Sequence, residues 1–172
     1  MTLPAQILIL RHGEKPGDPE QNDGGPDLSV RGYERAAALA YCVPDQFGKP
    51  DILFATQASK HSNRPRETLR PLAEALGLNI HCGYADGEFG QLAEHILSSG
   101  KCAGQRVLVC WHHGEIPALA QALGGLPPES KWPGKIFDRV WRLTYGKGCG
   151  QPPRDIAVDN LPQRLLYGDS PQ

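Results

Sequence analysis

The stretch Leu8-Ile9-Leu10-Arg11-His12-Gly13-Glu14-Lys15-Pro16 decides how this chain is to be read. Its apolar part, Ile7 to Leu10, does not alternate with polar residues. A continuous apolar run closed by turn formers suits a strand buried on both faces, as in a parallel sheet covered by helices. The run stops abruptly at Arg-His-Gly. In open α/β sheets, ligands bind in the crevice beyond the carboxyl ends of the strands. This strand would therefore deliver a guanidinium and an imidazole into that crevice. Gly13 would let the backbone turn there and let a ligand approach closely.

Three more apolar runs follow: Ile52-Ala55, Leu78-Ile80 and Val107-Cys110. Helical patterns lie between them. One starts at Leu28-Ser29 and runs through Ala36, Leu39 and Tyr41, with Ser29 placed to cap its N-terminus. A second covers Arg66 to Leu76 and stops at Gly77, a C-cap signal. A third runs from about Phe89 to Leu97, and a fourth, Ile116 to Leu123, ends at Gly124-Gly125. Strands alternating with helices predict an α/β fold, a three-layer α/β/α sandwich around a mainly parallel central sheet. In the last third, Gly124 to Gly134 reads as a loop, Phe137 to Tyr145 as another strand, and Gly146 to Pro153 as a loop. Ile156 to Asp169 has no clear pattern. Leu161, Leu165 and Leu166 imply that the C-terminal tail, residues 146–172, packs back on the rest.

Length and composition bound the function. At 172 residues the chain is expected to form one domain over residues 1–172. It is 40% hydrophobic and 22% charged, with a formal net charge of -1, which gives no prior for a polyanionic or membrane partner. Basic residues are scattered and not interleaved with aromatics, so nucleic-acid binding is not expected. No apolar stretch approaches the ~20 residues of a membrane span. Met1-Thr2-Leu3-Pro4-Ala5-Gln6 lacks the basic region and apolar run of a signal peptide. The five cysteines are scattered and form no CxxC pair, which fits free thiols in the cytoplasm.

Two further strand ends could carry chemistry. Arg64-Pro65-Arg66-Glu67-Thr68 follows Ile52-Ala55 and opens a helix, which would put Arg64 at the same end of the sheet as Arg11, beside a helix N-terminus favourable to an anion. Val107-Leu108-Val109-Cys110-Trp111-His112-His113-Gly114-Glu115-Ile116-Pro117 is again an apolar run that ends in His-Gly before a helix. Arginine presents a planar fork of donors suited to phosphate oxygens, and histidine can attack phosphorus. The set fits phosphoryl transfer with no metal and no other cofactor. Cys110, His112, His113 and Glu115 do not have the spacing of a structural zinc site. Glu14 and Lys15 could tune the mouth of a pocket or form surface ion pairs. Trp132-Pro133 is placed to shape a lid.

Arg11-His12-Gly13 after an apolar strand resembles the signature of the histidine phosphatase, or phosphoglycerate mutase-like, superfamily. Leu28-Ser29, Gly32 and Arg35-Ala36 are similar to the helix start that follows it. Arg64-x-x-Glu67-Thr68 is similar to the family's next element, and Val107 to Gly114 to its second-histidine strand. The four elements occur in family order over about residues 6 to 125, and the closest likeness is to the small, single-domain phosphatase-like members. The resemblance implies a phosphoglycerate mutase-like fold and a metal-independent phosphatase. His12 would attack phosphorus and form a phosphohistidine that water hydrolyses. Arg11, Arg64, the Gly13 backbone and a histidine of the second strand end would bind the phosphoryl oxygens.

Two assignments stay open in the sequence. A mutase-like register makes His112 the second histidine, whereas the His113-Gly114 pair and a Trp-x-His pattern favour His113, the preferred reading. Consecutive residues leaving a strand point to opposite faces, so one of the two is expected to enter the site. Family members often carry a carboxylate proton donor after the third strand, where Asp86 and Glu88 both stand, with Glu88 preferred. The expected substrate is a phosphorylated small molecule. The alternatives are a protein phosphohistidine phosphatase, which rises if neither carboxylate enters the pocket, a phosphoglycerate mutase-type phosphotransferase, and a silent phospholigand-binding domain. Oligomeric state is not legible.

Overall fold

The computed structural model describes residues 3–17, 24–145 and 154–170. Its centre is strand β1 (Gln6–Arg11), which pairs in parallel with β4 (Arg106–Trp111) and antiparallel with β6 (Arg139–Thr144). β4 pairs in parallel with β2 (Ile52–Thr56), and β2 with β3 (Ile80–Tyr84). On the other side β6 carries β7 (Ile156–Pro162), and β7 carries the two-residue β5 (Gly125–Leu126). The order is β3-β2-β4-β1-β6-β7-β5. The sheet is mainly parallel, with β6 as its antiparallel member between β1 and β7.

The two faces explain the unbroken apolar runs. Ile7 and Ile9 of β1, with Val107, Val109 and Trp111 of β4, pack against α3 (Phe89–Ser98) and α4 (Ile116–Ala122) through Leu92, Ile96 and Leu119. Leu8 and Leu10, with Leu108 and Cys110, pack against α1 (Val30–Cys42) and α2 (Arg64–Leu76) through Leu39, Leu69 and Leu72. Successive side chains of one strand thus enter different helical layers, so Ile7 to Leu10 and Val107 to Cys110 are apolar on both faces. The result is the α/β/α sandwich.

The helix ends follow from their residues. Ser29 caps α1, its hydroxyl accepting from the Gly32 N–H at 3.1 Å. Gly77 closes α2 with φ of 66°, a left-handed conformation that favours glycine. Pro65 stands in the first turn of α2, where its missing N–H costs nothing.

Three expectations are corrected. The third strand is Ile80–Tyr84 rather than Leu78-Ile80. It lies at the sheet edge, so His81 and Gly83 face solvent between half-buried neighbours, and the apolar run marks only its start. The Gly124 to Gly134 loop contains β5, too short to leave a pattern. The unclassified tail contains β7, whose alternating, partly exposed residues pair with β6. The expected loop Gly146 to Pro153 lies outside the described residues, as do residues 18–23 of the expected loop Pro16 to Asp27. Among the described residues no helix is long and apolar enough to cross a membrane.

Candidate active site

The carboxyl ends of the parallel strands β1, β2, β3 and β4, with the start of α2, enclose a cleft of about 570 Å³. Arg11 is the last residue of β1, in register with Trp111 of β4. It is 1% exposed. Its Nη1 donates to the carbonyls of Gly134 at 2.6 Å and Ile136 at 3.0 Å. Its guanidinium lies 3.7 Å from the centre of the Phe137 ring, a cation–π contact. Arg64, the first residue of α2, also lines the cleft, and its Nη1 donates to Gly25 O at 2.6 Å. The Nε atoms of both arginines are buried and have no hydrogen-bond partner among the described residues. Burial, with a further contribution from Arg64, lowers Arg11 to about 9 against the opposing charge of Glu14. Burial also lowers Arg64.

His12 lines the same cleft and is 2% exposed. Its Nδ1 is 2.7 Å from Gly13 O, an atom that can only accept. Nδ1 therefore carries the proton, and Nε2 of the neutral ring keeps its lone pair. Burial, followed by His112 and Arg11, drives the imidazole well below its ordinary pKa, so the ring is neutral at physiological pH. Gly13 is held in turn: its N–H donates to Thr68 Oγ1 at 2.8 Å, and that hydroxyl donates to Arg64 O at 2.8 Å. Thr68 thus ties the His12–Gly13 turn to α2.

Gly13 does not line the cleft. A Cβ there would come within 2.9 Å of Gly32 O, so the glycine is set by the crossing of the β1 loop over α1 and not by ligand approach. Because its N–H is already engaged, the expected phosphoryl contact from that backbone is replaced by a role in holding His12.

Both His112 and His113 line the cleft, against the expectation that only one would. The strand rule does not apply, because β4 ends at Trp111 and the chain turns, with Glu115 N–H donating to His112 O at 3.1 Å. The His112 ring stands edge-on to His12 with centroids 5.1 Å apart, and its Nε2 is 3.4 Å from Thr56 Oγ1. His113 lies toward Arg11 and Lys15. Burial lowers both imidazoles to about 4, helped for His112 by Arg64 and for His113 by Arg11.

Asp86 lines the cleft and Glu88 does not. Glu88 accepts from the Ala85 N–H at 2.7 Å and closes the short turn Asp86–Glu88 on itself. Asp86 is fixed from behind, its carbonyl accepting from the Trp111 indole at 3.1 Å. Partial desolvation at the cleft rim, then the charge of Glu115, raises its carboxyl to about 6.

Behind the cleft, Glu14 binds the buried Arg35 at 2.7 Å, and Arg35 binds Asp169 at 2.7 Å and Gln163 at 2.9 Å. Glu67 is engaged too, accepting from Leu28 N–H and Tyr33 Oη at 2.9 Å each. These carboxylates brace the loops and do not enter the cleft, whereas Lys15 does. Trp132 is buried against Trp141 with centroids 5.0 Å apart, and its indole donates to Ile136 O at 2.8 Å. It anchors the loop whose carbonyls hold Arg11. Thr68 and Phe137 were given no role by the sequence reading. Thr68 belongs to the Arg-x-x-Glu-Thr element, so a signal existed for it, whereas Phe137 reads only as the start of a strand. Among the described residues no group of three or more His, Cys, Asp or Glu side chains is placed to hold a metal ion.

No family model matches the chain, and no curated protein does. Solved structures do. An Escherichia coli protein provisionally assigned as an alpha-ribazole-5'-P phosphatase is 17% identical, with a TM-score of 0.63 over 95% of this chain and 98% of that one. The protein histidine phosphatase SixA, solved with tungstate, is 17% identical, with a TM-score of 0.60 over 92% of this chain and 97% of that one. A mycobacterial glucosyl-3-phosphoglycerate phosphatase solved with VO3 is 17% identical, with a TM-score of 0.60 over 91% of this chain and 97% of that one. The chain shares the fold of these three proteins.

Proposed function

We propose that this chain is a metal-independent phosphatase that hydrolyses a phosphorylated small molecule through a phosphohistidine at His12. The observation that carries the reading is one cleft lined by the guanidinium-bearing Arg11 and Arg64 together with the neutral imidazole of His12, whose Nδ1 is already spoken for. Two such forks call for an anion with several acceptor oxygens, and a phosphoryl dianion supplies them.

In the first step Nε2 of His12 attacks phosphorus while the ester P–O bond breaks. Arg11, Arg64 and His112 hold the equatorial oxygens, where preorganised donors act on the charge of the transition state. The departing alkoxide takes a proton from Asp86. In the second step water attacks phosphorus, Asp86 takes a proton from it, and the P–N electron pair returns to Nε2. A carboxyl near 6 can serve as acid and then as base close to neutral pH. The place of Asp86 in the cleft favours an oxygen ester over a protein phosphohistidine, whose imidazole leaves without an acid. It also favours Asp86 over Glu88 as the donor, and the ring contact of His112 with His12 favours His112 over His113 as the second histidine.

The test is hydrolysis of an aryl phosphate by the wild type, with and without a chelator, and by His12→Ala. The reading requires activity in the wild type that is lost in His12→Ala. Equal activity in both would remove His12 as the nucleophile. Loss of wild-type activity on chelation would remove metal independence.

A further inference from the structure

We infer that Trp111 is a positioning residue of this site: its indole N–H holds the Asp86 turn to the end of β4, and cleavage of esters with poor leaving groups depends on that one hydrogen bond. The inference rests on the phosphatase reading, with Asp86 as the acid, and adds the residue that places the acid.

The first observation is where Trp111 stands. It is the last residue of β4, in register with Arg11 of β1, and its carbonyl accepts from the His12 N–H at 3.2 Å. His112 follows it directly. Its backbone therefore belongs to the frame that carries His12 and the second histidine. Its side chain is fully buried in the core that the sheet shares with α3 and α4. From there its Nε1 donates to Asp86 O at 3.1 Å. One rigid, buried residue thus joins the frame of His12 to the turn that bears the carboxyl.

The second observation is that the other hydrogen bonds around this turn are local. Ala85 N–H donates to Glu88 Oε2 at 2.7 Å, and Glu88 N–H donates to Ala85 O at 2.9 Å. These two close the turn on itself and fix nothing relative to His12. Gln57 N–H donates to Tyr84 O at 2.7 Å, which secures the end of β3 two residues before Asp86. Ala85, Asp86 and Gly87 are exposed, so packing does little to hold them. A buried indole N–H calls for an acceptor in any fold. Here that acceptor is the carbonyl of the acid itself, on a turn that packing does not fix. A general acid works only within hydrogen-bond reach of the oxygen it protonates, and a small displacement of a reacting group costs much of the rate.

The experiment compares kcat/KM for butyl phosphate, whose alkoxide needs a proton to leave, with kcat/KM for p-nitrophenyl phosphate, whose phenolate leaves without one. kcat/KM covers the steps up to the phosphohistidine, so the later use of Asp86 as a base does not enter. Two variants are measured beside the wild type: Trp111→Phe, and a chain with 3-benzothienylalanine at position 111, which keeps the bicyclic shape and puts sulfur in place of the N–H. The butyl-to-aryl ratio is expected to fall at least about tenfold in the benzothienyl chain, and in Trp111→Phe as well. A benzothienyl chain with the wild-type ratio, including one in which both esters slow equally, overturns the inference and leaves Trp111 a packing role. Added to Asp86→Asn, the benzothienyl replacement is expected to lower the ratio no further; additive losses would show that Trp111 does not act through Asp86 and overturn it too. An unchanged ratio in Asp86→Asn alone removes the acid, and the inference with it. Failure of the wild type to hydrolyse either ester removes the phosphatase reading itself.

Discussion

At the scale of single residues, His12 is kept neutral by burial and by cationic neighbours, and its tautomer is set by one carbonyl. In the proposed reaction the pH dependence therefore falls to Asp86. Its carboxyl must be protonated to act as the acid, and the protonated fraction falls as pH rises through about 6. For an alkyl phosphate, kcat/KM is expected to decline above that pH, and Asp86→Asn should remove this limb and lower the rate by about 10²–10⁴. Glu88→Gln should leave the limb in place; a pH–rate series on both variants checks the assignment, and loss of the limb in Glu88→Gln would reverse it. Replacing His112 by Ala should cost about 10²–10³ in kcat, and His113→Ala less; the opposite ranking would restore His113. Arg11, His12, Arg64 and the two histidines were legible because each directly follows a strand end or opens a helix. The choice within His112-His113 and Asp86-x-Glu88 was not, because it depends on turns that begin where strand periodicity stops.

At the scale of elements, the His12 loop is seated by contact between β1 and the two helices of one layer. Gly13 and Gly32 meet backbone to backbone, and a Cβ on Gly32 would collide with Glu14 O. Gly32→Ala is expected to destabilise the protein by about 1–3 kcal/mol, as overpacking does, and to lower kcat through the displaced His12. Thermal unfolding together with kcat checks it; a stable, fully active variant would show that the close crossing is not needed. The sequence signals for α1 and α2, Ser29 and Gly77, sit where the helices start and stop, because capping is local chemistry. β3 and β7 were misjudged or missed for the converse reason. They lie toward the sheet edges, half exposed, and their pairing partners are distant in sequence.

At the scale of the whole molecule, a buried ion cluster joins the two ends of the chain. Glu14 lies two residues after His12, Asp169 lies in the last described segment, and Arg35 of α1 bridges them. Burial works against charge here, but hydrogen bonds to Asp169 and Glu14 hold Arg35 above its ordinary value. Against the same burial, Arg35 and the Leu166 and Leu165 N–H groups hold Asp169 at about 2. A depressed carboxyl pKa gives stability that is present above the unfolded value, ~3.9, and lost as pH falls through about 2. Asp169→Asn should cost about 3–5 kcal/mol at neutral pH, the usual price of leaving a buried charge without its partner, with Glu14 holding the loss toward the lower figure. Stability curves of wild type and variant should converge between pH 4 and pH 2; a constant gap would assign the loss to packing. The sequence contained Glu14, Arg35 and Asp169, but nothing local marks residues so far apart as neighbours.

The central claim is a covalent bond between phosphorus and His12, and rapid acid-free quenching of the enzyme with a ³²P-labelled phosphomonoester tests it most directly. The expected result is one labelled peptide containing His12, stable in base, labile in acid, discharged by further turnover and absent in His12→Ala. Turnover without label on that peptide, or label retained in His12→Ala, would contradict the account.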